Sequence, residues 1–332
     1  MIKNLVKKNK IFVIAEIGNN HEGNFDVAKL LIEKAAEAGV DAVKFQTIQP
    51  KYLVNSDDRE RLNKLESFKF EYEQFQKLSL IANDHGLIFF STPFDIDSAL
   101  KLNDFQNLFK IASGDNNFYP LIKTISSFKK PTFLSTGLTT IDDLKKIVEI
   151  WTENGDINCL SFLHCVSSYP VPEQEANLNY ITKLKKHFPN IFIGYSDHTI
   201  GIDASLYAVI LGAQIIEKHF TIDKNFSDFR DHQISSDPKE MKELVDKINN
   251  IFNYIGKDIS EIQECEKSSL ISSRRSIAAK FNLEKNKILT YEDLTWVRPG
   301  TGFFPGDEDK LIGKKIKYNI AQGQIFKKED FF

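Results

Sequence analysis

Ile191-Phe192-Ile193-Gly194-Tyr195-Ser196-Asp197-His198 and Ile215-Ile216-Glu217-Lys218-His219-Phe220 decide the fold. Each is a short apolar run that stops in a histidine. Near-continuous apolar runs of this length belong to strands buried on both faces, as in a parallel sheet. Six similar runs precede them, at 11–17, 42–46, 87–90, 108–112, 132–134 and 160–165. Amphipathic helical stretches lie between the runs. One covers 26–36, with a start at Phe25-Asp26 and Gly39 as its C-cap. Eight strands alternating with helices predict a (β/α)8 barrel, in which both histidines emerge at the carboxyl ends of adjacent strands. An open doubly wound sheet is the alternative; no GxGxxG turn follows the first run to support it.

The pattern changes after a helix at 239–255. Residues 257–272 are charged and polar, and read as a linker with some helix. From 273 to 332 the runs are short (275–279, 295–298 and 312–316) and the turns carry Gly and Pro, as in Pro299-Gly300-Thr301-Gly302. The expected organisation is a catalytic barrel at 1–256, a linker at 257–272 and a small domain at 273–332.

A formal net charge of -3 over 332 residues excludes the basic surface that nucleic acid requires. No stretch approaches the roughly 20 apolar residues of a membrane span, and the start MIKNLVKKNK lacks the apolar core of a leader. Three cysteines, Cys159, Cys165 and Cys265, form no CxxC pair, which predicts a reducing, cytoplasmic setting.

The polar residues at the strand ends outline a site. Glu16 sits inside an apolar strand, where a carboxylate is either paired with a buried cation or acts as an acid or base. Lys44 and Lys110 also interrupt apolar runs, where an unpaired ammonium is costly. With Thr92, Ser113, Ser135, Ser167 and Ser196 they suit a phosphate: ammonium groups supply charge and hydroxyls supply directed donors. His198 and His219 suit a divalent metal with open positions. Lys218, beside Glu217, reads as solvated or locally paired. His21 reads as a loop hydrogen-bonder, Cys165 as core, His164 as core or a supporting group, and His232 as close enough to reach the site.

These residues fall in blocks that resemble the sialic acid synthase family: IAEIGNNHEG (14–23), AVKFQT (42–47), STPFD (91–95), KIASGD (110–115), LSTG (134–137), LHCVSSYP (163–170), GYSDHTIG (194–201) and IEKHFT (216–221). RRSI (274–277) and RPGTG (298–302) resemble the family's C-terminal antifreeze-like (SAF, β-clip) module. The resemblance implies condensation of phosphoenolpyruvate with an N-acylated hexose, by default N-acetylmannosamine, to a nine-carbon 2-keto-3-deoxy acid and phosphate. It implies Glu16 as the acid/base carboxylate and His198 and His219 as ligands of manganese, or of magnesium or cobalt. Lys44, Thr92, Lys110, Ser113, Ser135, Ser167 and Ser196 would bind phosphoenolpyruvate. Gln46, Asp115, Tyr169, Asp231 and Arg298 would contact the sugar. Arg298 would act in the partner's site of a domain-swapped homodimer.

The chain departs from the family pattern on the sugar side: Asp115 in place of Glu, Thr301 in place of Asn, and Asn225-Phe226-Ser227-Asp228-Phe229-Arg230-Asp231-His232 in place of a Pro-Gly-Pro-Asp-His segment. A diacetamido-trideoxy hexose, leading to legionaminic-type acids, is therefore the alternative acceptor. Other readings are a Schiff-base aldolase using Lys110 or Lys218, a synthase acting on a phosphorylated aldose, and a non-catalytic sugar-binding protein.

Overall fold

The computed structural model describes residues 2–6, 10–256 and 259–332. Lys257 and Asp258, the first residues of the expected linker, lie outside the described residues. The chain divides into two compact units, Met1–Gly256 and Lys257–Phe332.

The first unit is built on eight parallel strands: β1 Phe12–Gly18, β2 Ala42–Thr47, β3 Ile88–Pro93, β4 Phe109–Ile111, β5 Thr132–Ser135, β6 Leu160–His164, β7 Phe192–Asp197 and β8 Ile215–His219. Their order, β3-β2-β1-β8-β7-β6-β5-β4, wraps them into a ring. Strands β3 and β4 lie side by side at the seam, without a hydrogen-bonded ladder among the described residues. The three-residue β4 offers few groups for one. The expected barrel is thus present, nearly closed.

Helices α1 Ile2–Leu5, α2 Phe25–Ala38, α3 Pro50–Leu53, α4 Arg59–Phe68, α5 Tyr72–Asp84, α6 Ile96–Leu102, α7 Tyr119–Ser127, α8 Ile141–Asn154, α9 Asn179–His187, α10 Asp203–Ile210, α11 Arg230–Ile234 and α12 Pro238–Ile255 complete the unit. The second of these shows why the sequence folds this way. Ala28, Leu31, Ile32, Ala35 and Ala38 fall on one buried stripe. The Asn24 side chain accepts from the Asp26 and Val27 amides, a cap that contributes about 1 kcal/mol. Gly39 stops the helix at φ 85, in the left-handed region.

Two apolar layers separate the barrel's interior from its jacket. The outward face of the strands packs on the helices, as with Phe45, Phe89, Phe162 and Trp151. The lower interior is filled by Phe12, Ile14, Phe90, Leu108, Phe133, Leu163 and Ile215, and Ile2 of α1 and Val6 just after it close it. Burying each of those two side chains contributes about 1.5–3 kcal/mol. The interior's polar side chains gather mostly toward the carboxyl ends of the strands, though Ser161, opposite Phe133, lies lower in the barrel. No helix of the described residues is long and apolar enough to cross a membrane.

The second unit opens with α13 Glu264–Lys267 and α14 Leu270–Ser273, then pairs β9 Ser276–Ala279 with β10 Leu294–Val297, antiparallel. Its own core holds Ile277, Leu289, Leu294, Leu311, Ile316, Ile320, Phe326 and Phe331. The stretch 312–316, expected as a strand, forms none. Gly313 takes φ 82, which breaks an extended run, and Ile316 makes a single bridge to Phe331. The Ser276 hydroxyl donates to the Pro299 carbonyl and accepts from the Thr301 and Gly302 amides, which fixes the 299–302 turn.

Candidate active site

Strand register assembles the charged core of the site. Glu16 of β1 stands opposite Lys44 of β2 and His219 of β8, and Ser196 of β7 stands opposite Glu217. Residues paired across parallel strands share a face, so these side chains converge in the upper barrel. Lys44 Nζ lies 2.8 Å from Glu16 Oε2 and donates to Thr92 Oγ1 at 3.3 Å. Glu217 bridges the lysines, 3.3 Å from Lys110 and 3.8 Å from Lys44, and accepts from Ser196 Oγ at 2.8 Å. All four charged groups are buried, each side chain 5% exposed or less.

The two carboxylates diverge. Burial pushes Glu16 above the usual carboxylate range, with repulsion from Glu217 adding to it against the attraction of Lys44. Burial acts on Glu217 in the same sense, but Lys110 and Lys44 outweigh it and hold it below that range. Of the two, Glu16 is the carboxylate whose surroundings favour holding a proton, and Glu217 the one whose surroundings favour the charge. Burial lowers Lys110. Lys44 is raised, because Glu16 and Glu217 overcome its burial.

Glu16 is aimed from both sides. Gln46 Nε2 donates to Glu16 Oε1 at 2.9 Å, and Asn19 Nδ2 donates to Gln46 Oε1 at 3.0 Å. Gly18, at φ 54, sits beside this chain. A Cβ there would stand 3.3 Å from both Glu16 Oε1 and Gln46 Nε2.

A hydroxyl cradle flanks the lysines. The Gly137 amide donates to Ser113 Oγ at 3.2 Å, and a Cβ on Gly137 would lie 2.4 Å from Ser167 Oγ and 2.6 Å from Ser113 Oγ. Glycine alone lets the backbone come so near. The buried Oγ atoms of Ser135 and Ser167 and the Oδ2 atom of Asp115 have no hydrogen-bond partner among the described residues. Buried polar atoms are nearly always satisfied, so this concentration marks a place prepared for a polar ligand. Burial raises Asp115 to about 6.

The two histidines meet, with ring centroids 5.4 Å apart. His198 Nδ1 lies 2.9 Å from the Val166 carbonyl; donation there leaves the Nε2 lone pair for a metal. Burial holds His219 well below the ordinary imidazole range, hence neutral, and its buried Nδ1 has no hydrogen-bond partner among the described residues. Burial acts on His198 in the same sense, but Cys165, the Val166 carbonyl and Glu217 draw it the other way, above the ordinary imidazole range; a bound divalent metal would take the place of its extra proton. Among the described residues no cluster of three or more His, Cys, Asp or Glu could hold one alone. Such a metal would therefore keep positions open, as catalytic sites do.

On the rim, Tyr169 stacks on His198 at 4.2 Å, and Asp231, on α11, is buried within electrostatic reach of the Tyr169 hydroxyl. Asp115 shares a turn with Ser113. Arg298 is exposed at the end of β10, in the second unit.

Several expectations need correction. Lys218 is fully buried and points away from the site: it pairs with Asp197 at 3.1 Å and donates to the Thr199 carbonyl. Its neighbour Glu217 is neither solvated nor its partner, because alternation along β8 puts the two on opposite faces. His232 stays outside the metal site, held between Thr221 Oγ1 at 2.6 Å and Glu22 Oε1 at 2.9 Å. His164 is core, bonded to the Ala176 carbonyl at 2.8 Å. His21 does act as a loop hydrogen-bonder, accepting from the Gly23 amide and stacked on Phe70. Cys165 is buried, with Sγ 3.7 Å from His198 Nδ1. The reading of site residues from sequence left out Glu217, although it lies two residues before His219 on the same strand face.

Residues 31–260 match the model of the NeuB family, and residues 274–331 match the SAF domain. This chain belongs to the NeuB family. The chain is 34% identical over 333 residues to an N,N'-diacetyllegionaminic acid synthase of Campylobacter jejuni, covering 96% of this chain and 99% of the relative. It is 36% identical over 344 residues to a pseudaminic acid synthase of the same species, covering 99% of each. The human N-acetylneuraminate-9-phosphate synthase is 32% identical over 333 residues, covering 96% of this chain and 92% of the relative. The crystal structure of N-acetylneuraminic acid (sialic acid) synthetase from Leptospira borgpetersenii in complex with citrate superposes with a TM-score of 0.74 at 33% identity, covering 80% of this chain and 92% of that one. The expected resemblance and the barrel-plus-SAF architecture are both borne out, and this NeuB-family chain is an enzyme of the sialic acid synthase type.

Proposed function

We propose that this protein condenses phosphoenolpyruvate with an N-acylated hexose to a nine-carbon 2-keto-3-deoxy acid, releasing phosphate. The observation that carries this reading is that one barrel end gathers two buried lysines, paired with Glu16 and Glu217, the Ser135 and Ser167 hydroxyls, which have no hydrogen-bond partner among the described residues, and two histidines in ring contact. Lys44 and Lys110 neutralise the phosphate and carboxylate of phosphoenolpyruvate. Ser113, Ser135, Ser167, Ser196 and Thr92 orient it, which is chiefly an entropic contribution. Positive charge develops at the enol carbon as its methylene attacks the aldehyde. Glu16, held by Gln46, stabilises that charge and then accepts the proton of the water that adds to the carbon. A divalent metal on His198 and His219 (manganese, magnesium or cobalt) supplies Lewis-acid polarisation of the aldehyde.

Gln46, Asp115, Tyr169 and Asp231 face the acceptor in this reading. Arg298 serves the sugar site of a second copy of the chain in a domain-swapped homodimer; the family resemblance supports that arrangement. The setting is cytoplasmic, in keeping with a sequence that has only three cysteines and no CxxC pair. N-acetylmannosamine is the first acceptor to try. A diacetamido-trideoxy hexose is the second, favoured by Asp115, Asp228 and Arg230 where the family pattern differs. The test is phosphate release from phosphoenolpyruvate with manganese across both acceptors and a phosphorylated aldose, each with a chelator control. Metal-dependent release with an N-acylated hexose is expected. Turnover with the phosphorylated aldose alone would overturn the reading.

A further inference from the structure

Arg230 takes no part in the bond-making steps above. Its guanidinium lies over the Tyr169 ring, 4.6 Å from the centroid, and Tyr169 lies in turn on His198 at 4.2 Å and 27°. Three planes thus stack outward from a histidine of the metal pair. The Arg230 side chain is 65% exposed. Its polar contacts among the described residues are two long ones, from Nε and Nη2 to the single oxygen Asp231 Oδ1 at 3.4 Å. A guanidinium carries five N–H donors, so most remain free for a ligand.

The base of this stack is fixed. His232, the second residue after Arg230, is clamped by Thr221 and Glu22, and the Ser227 hydroxyl also donates to Glu22. Phe229 packs edge-on against Phe68 at 5.2 Å. A planar donor on a rigid support is suited to reading a ligand rather than to loose charge attraction.

Geometry and charge narrow what it reads. The guanidinium carbon lies no further from the His198 ring than two stacking intervals of 4.2 and 4.6 Å. That reach is comparable with an open hexose chain held by its aldehyde at the histidines. Beside the donors sits the Asp231 carboxylate, an acceptor. One donor edge and one acceptor edge complement a secondary amide, which offers one carbonyl and one N–H. They suit a phosphate poorly, because the Asp231 carboxylate already contacts the guanidinium and the Glu22 carboxylate holds the nearby His232.

We propose that Arg230 is a specificity-determining residue for the remote half of the acceptor, and that with Asp231 it reads a second acylamido group there. This rests on the synthase reading. The test is steady-state kinetics of the full-length, manganese-loaded wild type, Arg230→Ala and Arg230→Lys with three acceptors: N-acetylmannosamine, its 6-phosphate and a 2,4-diacetamido-trideoxy hexose. Arg230→Ala is expected to lower kcat/KM for the diacetamido acceptor about 10- to 100-fold, the loss of a hydrogen bond from a charged donor. Arg230→Lys should not restore it, since an ammonium lacks the flat fork. N-acetylmannosamine should change about threefold or less, and KM for phosphoenolpyruvate should not move in any variant. Equal losses on all acceptors, a larger loss on the 6-phosphate, or full retention with the diacetamido acceptor would overturn the Arg230 assignment alone. Wild-type enzyme that releases no phosphate with any acceptor would overturn the synthase reading, and this assignment with it.

Discussion

Replacing Glu217 by Gln removes one charge from the centre of the barrel and preserves shape. Glu217 lies 3.3 Å from Lys110 and 3.8 Å from Lys44. At an effective dielectric of about 20, each pair represents about 4–5 kcal/mol of gross attraction. Much of that offsets the cost of taking the carboxylate out of water. The net loss on breaking a buried pair is about 3–5 kcal/mol. The lower end applies here, because Lys110, already held below the ordinary lysine range by burial, can shed its proton and cap the penalty. Gln also keeps an oxygen for the Ser196 hydroxyl. A loss of about 3 kcal/mol in a unit of this size lowers Tm by about 6–12 °C. Phosphoenolpyruvate brings its own negative charge to the same lysines, so its stabilising shift should be larger in Glu217→Gln than in wild type. At a hundredfold excess over Kd the wild-type shift corresponds to about 2.7 kcal/mol. Differential scanning calorimetry with and without phosphoenolpyruvate reads both quantities. A Tm within about 2 °C of wild type, or a smaller ligand shift in the variant, would refute the counter-ion role.

Glu16→Gln should abolish turnover while phosphoenolpyruvate still binds, measured by calorimetric titration; normal turnover would remove Glu16 from the acid/base role. Asp115, raised from 3.8 to about 6 by burial, becomes charged between pH 5 and 7. Acceptor kcat/KM should rise through that window and flatten in Asp115→Asn. Because the folded state disfavours the charged form, Asp115 costs stability as pH climbs from about 4 to about 6, and the same substitution should relieve that loss in a pH series of melting curves. Lys218→Met leaves Asp197 buried without its cation and loosens the turn that carries His198. It should destabilise by about 3–5 kcal/mol and weaken metal binding about 10- to 100-fold. Borohydride in the presence of pyruvate should trap no lysine in the wild type.

Most of the architecture was legible because a parallel barrel writes itself as apolar runs, and those at 191–193 and 215–217 became β7 and β8 with their histidines at or just past the ends. What escaped was what register and alternation decide. Glu217 and Lys218 are adjacent in sequence, yet one joins the lysines inside the barrel and the other pairs with Asp197 outside it. The stack of Arg230 on Tyr169 on His198 joins segments about 60 and 30 residues apart in the chain, brought together because they follow the neighbouring strands β6, β7 and β8. The use of His232 was hidden for a similar reason: Thr221, 11 residues away, and Glu22, 210 residues away, occupy both of its ring nitrogens.

The central claim is that a carbon–carbon bond forms at the methylene carbon of phosphoenolpyruvate. The direct measurement is NMR of a reaction containing phosphoenolpyruvate labelled with 13C at that methylene, manganese and an N-acylated hexose. The account predicts that the label moves into the ring methylene of a 2-keto-3-deoxy acid, in step with inorganic phosphate and only while the metal is present. Label recovered as the methyl group of pyruvate, or left in phosphoenolpyruvate with every acceptor, would contradict it.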